Sequence, residues 1–197
     1  MAIKSLSTPL VHRLVPIQNG LIRTTVQVIA GVVFLALLAQ VRFDIGPVPI
    51  TGQTLGILLI GASYGFSLGT LTATAYLIVG GLGLGVFSGG AAGWATFAGA
   101  TGGYLIGFPI AAAVIGYLMQ RGWHRFFFLT ALAMFIGNLL IYVPGLLWLN
   151  RFAPDGSWPT TLAWGLTPFI AGDLIKLIAA AGLFPDVWRL VGQPRKS

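Results

Sequence analysis

Long apolar runs, separated by short segments that carry nearly all of the charge, dominate this chain of 197 residues. Runs of about 17 to 25 apolar residues are long enough to cross a bilayer as helices. Six spans are predicted, with the short, glycine-rich second and third spans joined by a tight turn at "YGFS". The spans cover residues 24–41, 52–64, 66–82, 102–119, 126–149 and 168–184. The pattern therefore predicts an all-α membrane protein with six transmembrane helices.

The composition favours lipid as the solvent of this chain. Hydrophobic residues make up 56% of the sequence and charged residues only 8%, whereas about a quarter of an ordinary soluble domain is charged. The 28 glycines suit helices that pack closely through small residues. Because the chain has no cysteine, disulfides, thiolate catalysis and cysteine metal sites are excluded.

The placement of the basic residues explains the net charge of +7 better than a nucleic-acid partner does. No basic stripe with interleaved aromatic residues occurs, and the cations flank apolar runs, where they set membrane topology. With both termini inside, eight lysines and arginines fall on the inner side and two on the outer side. The inner eight are Lys4, Arg13, Arg23, Arg121, Arg125, Arg189, Arg195 and Lys196, and the outer two are Arg42 and Arg151.

This bias predicts an even number of spans with both termini in the cytoplasm, and we expect a multi-pass protein of the plasma membrane. Residues 1–23 are then an N-terminal tail, residues 24–185 the six-helix membrane domain, and residues 186–197 a basic C-terminal tail.

The connection between the third and fourth spans, "GLGLGVFSGGAAGWATFAGATGG", is rich in glycine and has no charged residue. A loop exposed to water normally carries charge, and irregular backbone at membrane depth is tolerated only where it is buried or lines a cavity. We therefore expect a partly re-entrant or lid-like segment, with a flexible linker as the alternative. Phe87, Trp94 and Tyr104 flank it, either as walls for an apolar part of a ligand or as membrane anchors.

Two opposite charges interrupt the last span, in the stretch "AGDLIKLIAA". Asp173 and Lys176 are three residues apart, so they share one face of a helix. Thr167 and Pro168 predict that this helix begins on the outer side, with Thr167 as its N-cap. An isolated charge in a membrane helix costs roughly 2.5 to 3.5 kcal/mol. The two residues therefore either neutralise each other or face a ligand that combines an anionic group with hydrogen-bond donors.

Uncharged polar residues supply further candidates for a ligand site. In "VPITGQTLG", Thr51, Gln53 and Thr54 lie where a proline-rich segment enters the second span. Gln53 has donors and acceptors for a ligand, and it is equally suited to cap the helix or bond a neighbouring backbone group. Asn138 in the fifth span can contact a ligand or bridge two helices.

Three stretches in the right order and spacing resemble the BioY family, the biotin-binding S component of energy-coupling factor (ECF) transporters. They are "GPVPITGQTLGILLIG", "GGLGLGVFSGGAAGWATFAGATGGYLIGFPIAAAVIGYL" and "GDLIKL". The resemblance implies a six-helix membrane subunit that captures biotin from outside and works with a transmembrane coupling subunit and a pair of ATPases. The chain itself has no phosphate-binding GxxxxGKS or GxxxxGKT loop, and no cofactor is expected.

The resemblance also implies that Asp173 and Lys176 contribute to the biotin pocket and that the glycine-rich loop closes over the ligand. Where the family commonly has proline in this loop, the chain has Gly85 and Ala100. Our hypothesis is that Asp173 accepts from the ureido ring and Lys176 pairs with the carboxylate. Alternatively, one of the two orients the other, and a backbone amide or Ser88 takes one end of the ligand.

Other functions remain open at this point. An S component for a different small vitamin fits the same fold, because fold alone does not fix the ligand. A membrane enzyme would need a nucleophile, metal cluster or second carboxylate beside Asp173 and Lys176, and the sequence shows none, so we predict that the chain is not an enzyme. A purely structural subunit would not need both buried charges and a charge-free loop.

Overall fold

The computed structural model describes residues 9–14 and 17–192, most of them helical. The helices are α1 (Val11–Leu14), α2 (Gly20–Gln40), α3 (Gln53–Gly81), α4 (Ala95–Ala98), α5 (Gly102–Gln120), α6 (Phe127–Leu149), α7 (Trp158–Gly165) and α8 (Thr167–Gly192). Single turns of 3-10 helix lie at Ser88–Gly90, Trp123–Arg125 and Asn150–Phe152. The prediction of an all-α fold missed one small feature, an antiparallel hairpin of β1 (Arg42–Phe43) and β2 (Ile50–Thr51).

Four helices in the described part of the chain are long and apolar enough to cross a membrane: α2, α3, α5 and α6. A fifth span results if α7 and the first part of α8, which meet at a bend of 40°, are counted together. These helices agree with a multi-pass membrane protein. The count of six spans remains a prediction.

The second and third predicted spans correspond to the two arms of α3, which meet at Gly65. Gly65 has φ +75° and ψ −174°, a conformation that glycine adopts at no steric cost. A Cβ atom built on Gly69 would lie 3.4 Å from the Cα of Gly61, although eight residues of straight helix would separate the two by about 12 Å. The chain therefore folds back on itself at Gly65.

Residues of neighbouring elements hold the bend at Gly65 in place. The side-chain oxygen of Gln120, at the end of α5, accepts a hydrogen bond from the amide of Phe66 at 3.0 Å. Leu10 and Val11 are buried, and the carbonyl of Val11 accepts from the side-chain nitrogen of Gln27 at 3.1 Å. Residues 9–14 thus pack across this end of the bundle, within the region that the sequence assigned to a tail.

The first and last long helices extend beyond the predicted limits of the membrane domain, which remain a prediction. Asn19 caps α2, which begins at Gly20, because its side-chain oxygen accepts from the amides of Leu21 and Ile22 at 3.0 and 3.2 Å. At the other end α8 continues to Gly192, into the predicted C-terminal tail. Residues 1–8 and 193–197 lie outside the described part of the chain.

The start of α8 also corrects the predicted N-cap. Thr167 is the first residue of α8, and its hydroxyl donates to the carbonyl of Leu162 at 3.1 Å instead of accepting from its own helix. The reason is that α7 ends only two residues earlier, so the carbonyl of Leu162 in its last turn, which also accepts from the amide of Leu166, lies within reach of the Thr167 hydroxyl.

The hairpin and the glycine-rich segment lie over the end of the bundle opposite Gly65. The side-chain nitrogen of Gln40, at the end of α2, donates to the carbonyl of Phe87 at 3.1 Å. The indole of Trp148, at the end of α6, donates to the carbonyl of Gly99 at 2.9 Å. The segment between α3 and α5 is therefore fastened to the bundle at two points and includes α4. Its re-entrant character remains a prediction.

Candidate ligand-binding site

A cavity lies at the hairpin end of the bundle, beneath the glycine-rich segment. Its polar lining comes mainly from the hairpin, the start of α3 and the glycine-rich segment: Arg42, Thr51, Gln53, Thr54, Ser88, Thr96 and Thr101. Its aromatic lining is Phe87, Tyr104, Phe108, Tyr142 and Phe169. The structure therefore brings together five of the predicted site residues, namely Thr51, Gln53, Phe87, Ser88 and Tyr104.

Asp173 and Lys176 adjoin this cavity and contact each other. The Lys176 ammonium lies 3.2 Å from Oδ1 of Asp173, which is only 8% exposed. The mutual neutralisation that the sequence left open is therefore present. The same ammonium donates to the carbonyl of Thr51 at 3.2 Å and lies 3.4 Å from Oγ1 of Thr54. Since Thr51 and Thr54 line the cavity, the ion pair is held directly against its wall.

Tyr142 is a candidate site residue that was not predicted from the sequence. It lines the cavity, and its hydroxyl donates to Oδ2 of Asp173. Both carboxylate oxygens of Asp173 therefore have donors, from Tyr142 and from Lys176. The available signal was a tyrosine in an apolar span, because a buried tyrosine hydroxyl usually finds a hydrogen-bond partner.

Gln53 links three parts of the site. Its side-chain nitrogen donates to the Tyr76 hydroxyl at 2.7 Å, and that hydroxyl donates to the carbonyl of Val86 at 2.8 Å. The Thr51 hydroxyl donates to Oε1 of Gln53 at 3.1 Å. Gln53 thus lines the cavity and bonds the side chains of Thr51 and Tyr76. The N-cap residue of α3 is Gly52, which makes no side-chain capping bond, and the contact of Gln53 with a ligand stays a prediction.

Phe87 and Ser88 form the part of the cavity that belongs to the glycine-rich segment. Phe87 is 1% exposed, and its ring packs edge-on against Tyr76, with centroids 5.4 Å apart. Ser88 Oγ is buried and has no hydrogen-bond partner among the described residues. Because buried polar atoms are normally hydrogen bonded, this hydroxyl is available to a ligand.

Arg42 is the second residue that the sequence analysis missed, because it was assigned only to topology. It lines the cavity, and its guanidinium pairs with the carboxylate of Asp44. The Asp44 side chain is 62% exposed, and a solvated ion pair contributes little to stability. Arg42 can therefore exchange this partner for another carboxylate at small cost.

Of the four predicted site residues that do not line the cavity, Asp173 and Lys176 adjoin it, whereas Trp94 and Asn138 lie elsewhere. Trp94 is 59% exposed and packs against Phe97, with ring centroids 5.3 Å apart. Asn138 lines a separate cleft between α6 and α8. The indole of Trp94 lies against Gly81 at the end of α3, and the ligand contacts predicted for Trp94 and Asn138 stay predictions. Within residues 9–14 and 17–192, no group of three or more metal-binding side chains occurs.

Apolar helices of membrane-spanning length and a cavity with a mixed polar and aromatic lining define a multi-pass membrane protein suited to holding a small amphipathic solute. The sequence profile of the BioY family matches residues 7–193. The chain belongs to the BioY family. This confirms the resemblance predicted from the three sequence motifs.

Individual relatives cover most of the chain. It is 41% identical over 142 residues to the probable biotin transporter BioY of Pyrococcus horikoshii, covering 72% of this chain and 82% of the relative. It is 36% identical over 174 residues to the biotin transporter BioY of Rhizobium etli, and the match covers 84% of this chain and 90% of the relative. A crystal structure of the S component for biotin from an ECF-type ABC transporter superimposes with a TM-score of 0.76 at 28% sequence identity. The match covers 91% of this chain and 96% of that structure's chain. These relatives are transporters, which argues against the enzyme alternative.

Proposed function

We propose that this chain is the S subunit of an ECF transporter and that it captures biotin in the cavity at the hairpin end of the bundle. A transmembrane coupling subunit and a pair of ATPases complete the transporter and supply the energy. The observation that carries the proposal is the aromatic and polar lining of this cavity in a member of the BioY family.

The cavity offers a partner for each part of biotin. The fused ring system presents two N–H donors and a carbonyl, the middle of the molecule is apolar, and the tail ends in a carboxylate. Hydroxyl and amide oxygens of Thr51, Gln53 and Thr54 can accept from the ring, and the rings of Phe87 and Phe108 can cover the apolar part. Such a combination of apolar walls and a few polar groups is typical of small-molecule sites.

The geometry revises our hypothesis for Asp173 and Lys176. Because their charged groups contact each other, they cannot hold opposite ends of a long ligand. We assign the carboxylate of biotin to Arg42 and the unpartnered hydroxyl of Ser88, and the ureido ring to the side of the cavity where Thr51, Thr54 and Tyr142 lie. Asp173 then acts as a positioning residue that orients Tyr142 and Lys176 behind this side of the cavity, which is the second of the two roles considered from the sequence.

The proposed membrane arrangement has six spans, with the two arms of α3 counted separately and both termini in the cytoplasm. The end of the bundle at Gly65 then faces inward, with Arg23, Arg121 and Arg125 beside it. This arrangement agrees with the excess of basic residues on the inner side. The cavity faces outward beneath the glycine-rich segment, which acts as a lid and is partly re-entrant.

A binding titration tests the proposal. Purified protein in detergent is titrated with biotin and with a panel of other small vitamins, and the biotin titration is repeated with Asp173→Asn. We expect saturable binding of biotin alone and weaker binding in the variant. Binding of another vitamin in preference to biotin would establish the alternative, an S component for a different ligand, while binding of none would refute the proposal.

A further inference from the structure

A second cavity, distinct from the one described above, lies in the cleft between α6 and α8. Its apolar walls include Phe135, Leu139, Ile170 and Leu174, all of which are substantially exposed. In a membrane-spanning bundle, exposed apolar side chains of this kind face lipid. The cleft therefore opens sideways from the bundle toward the membrane.

The floor of this cleft is polar. Asn138, Tyr142 and Asp173 all line it, and Asn138 is only 7% exposed. Oδ1 of Asn138 has no hydrogen-bond partner in the part of the chain that the structure describes. An unsatisfied buried acceptor costs about 1 to 3 kcal/mol, and a lipid acyl chain in the cleft has no donor to relieve it. The cleft is therefore complementary to a molecule with an apolar body and at least one N–H or O–H group.

Tyr142 is the wall between the two cavities, because it lines both of them. The cavity volumes are similar, about 130 Å³ at the hairpin end and about 160 Å³ in the cleft. Asp173 lines the cleft and is bonded to Tyr142. A solute that donates hydrogen bonds at the Tyr142 wall therefore meets Asp173 as its next acceptor once Tyr142 turns away.

Asn138 lies farther from the hairpin end of the bundle than Tyr142 does. It precedes Tyr142 by four residues on α6, which corresponds to about 6 Å along the helix axis. The direction is away from the hairpin end, because α6 begins beyond the end of α5, where Gln120 bonds the bend of α3. Residues four apart share one face of a helix, so Asn138 lies on the same face of α6 as Tyr142, one turn farther from the hairpin end.

We infer that the α6–α8 cleft is a second, deeper binding position for the N–H-bearing end of the transported solute, which the solute reaches when the Tyr142–Asp173 hydrogen bond opens. The inference rests on the proposed function, since biotin supplies both the N–H donors and the apolar body. In this position one N–H of the ureido ring donates to Oδ1 of Asn138, and the apolar part lies against Leu139 and Leu174. The first cavity captures the solute, and the cleft holds it on the way to release.

Asn138→Leu tests the inference by removing the acceptor while keeping a similar volume. Two quantities are measured: the Kd of the purified chain for biotin, and uptake of labelled biotin by the complete transporter in liposomes. We expect the Kd to stay within about threefold of wild type and the uptake rate to fall at least tenfold. Val143→Leu, at an exposed position of α6 outside the cleft, is the matched control and should change neither quantity.

A second variant keeps the test decisive should Asn138→Leu fail to fold. Leu174→Trp fills the cleft from the side of α8, and its neighbour Ile175, exposed outside the cleft, provides the control Ile175→Trp. Normal uptake in Leu174→Trp or in a folded Asn138→Leu overturns the inference. A tenfold rise in Kd for folded Asn138→Leu also overturns it, because Asn138 would then belong to the first cavity. Absence of biotin binding in the wild type is a different outcome and refutes the proposed function.

Discussion

The Lys176 ammonium lies 3.2 Å from the carbonyl oxygen of Thr51, and this hydrogen bond joins two residues 125 positions apart. It connects the middle of α8 to the β-hairpin that lines the cavity. The same ammonium pairs with Asp173, so a single cation fixes both the hairpin and the carboxylate that orients Tyr142.

Replacing this cation should weaken ligand binding strongly. Lys176→Ala removes the ammonium and leaves the Asp173 carboxylate with one donor fewer in a largely buried place. Truncating one partner of a buried charge pair typically costs about 2 kcal/mol or more, which corresponds to roughly a 30-fold increase in Kd. Titration of the purified variant with biotin measures the effect.

The neighbouring Ile175→Ala is the matched control for Lys176→Ala. Ile175 is exposed and does not line the cavity, so its Kd should equal that of the wild type. An unchanged Kd in a well-folded Lys176→Ala would remove the residue from the binding site.

The hydroxyl of Tyr142 should matter for affinity more than for packing. Tyr142→Phe keeps the aromatic contacts with Tyr104 and Phe169 but deprives Asp173 of a donor. Loss of a hydrogen bond to a buried charged group costs about 1.5 to 3 kcal/mol, so we expect at least a tenfold loss of biotin affinity by titration.

Tyr64→Phe tests the specificity of that effect. The Tyr64 hydroxyl also bonds inside the bundle, to the carbonyl of Gln27 at 2.9 Å, but away from the cavity. Tyr64→Phe should therefore lower the melting temperature of the protein while leaving its Kd for biotin unchanged. Equal losses of affinity in the two variants would mean that Tyr142 acts only through the stability of the bundle.

If Arg42 binds the carboxylate of biotin, the affinity should depend on whether that carboxylate carries its charge. For wild-type protein, biotin should bind more tightly than biotin methyl ester, which lacks the charge. In Arg42→Gln the Kd for biotin should rise about tenfold while the Kd for the ester changes little. If both ligands lose affinity equally, Arg42 supports the lid without contacting the carboxylate.

Gly80 should be intolerant of any side chain. A Cβ atom at this position would overlap the ring of Phe87, which is buried against α3. Gly80→Ala must therefore push Phe87 toward the cavity, and overpacking of this kind costs about 1 to 3 kcal/mol. Both the melting temperature and the biotin affinity should fall.

Gly172→Ala in α8 is the control for Gly80→Ala, since nothing lies within 4 Å of an added Cβ there. It should be neutral or slightly stabilising, because alanine favours helix more than glycine does. An equal loss of affinity in both variants would show that Phe87 is not held in place by Gly80.

Asp155 predicts a measurable dependence of stability on pH. Hydrogen bonds from the Ser157 hydroxyl and amide and from Thr160 at the start of α7 lower the pKa of the Asp155 carboxyl below its usual value. A lowered pKa in the folded state stabilises the protein above the unfolded pKa, about 3.9, and this contribution is lost as the pH falls below that value. Asp155→Asn should therefore melt lower than wild type at pH 7, and the difference should shrink steadily as the pH is lowered from about 4. A difference in melting temperature that does not change over this acidic range would contradict the prediction.

The sequence predicted the apolar helices well because a membrane span depends on local composition alone. The break at Gly65 was also predictable, from the tight turn expected between the second and third spans. By contrast, strands of two residues each have no periodicity to detect. The helix α7 carried a signal that went unused, namely Ser157 as N-cap and Pro159 in the first turn.

The candidate site was predicted in part. Asp173 and Lys176 stood out because charge is rare in apolar spans, but sequence spacing could not show that they pair with each other and with Thr51. Tyr142 was missed because its partner Asp173 lies 31 residues away on another helix, and Arg42 because its charge was assigned only to membrane topology. Only the packing of α6 against α8 and the register of the hairpin bring these residues to the site.

Because α3 bends sharply at Gly65, a small rotation at the bend displaces the far end of its second arm by several ångströms. The arm of residues 66–81 contains about 16 residues and is about 24 Å long. A rotation of only about 10° at its base would therefore shift its far tip by about 4 Å. That tip leads straight into the segment that roofs the cavity, so a modest torque near the Gly65 end could lift the roof without unfolding any helix.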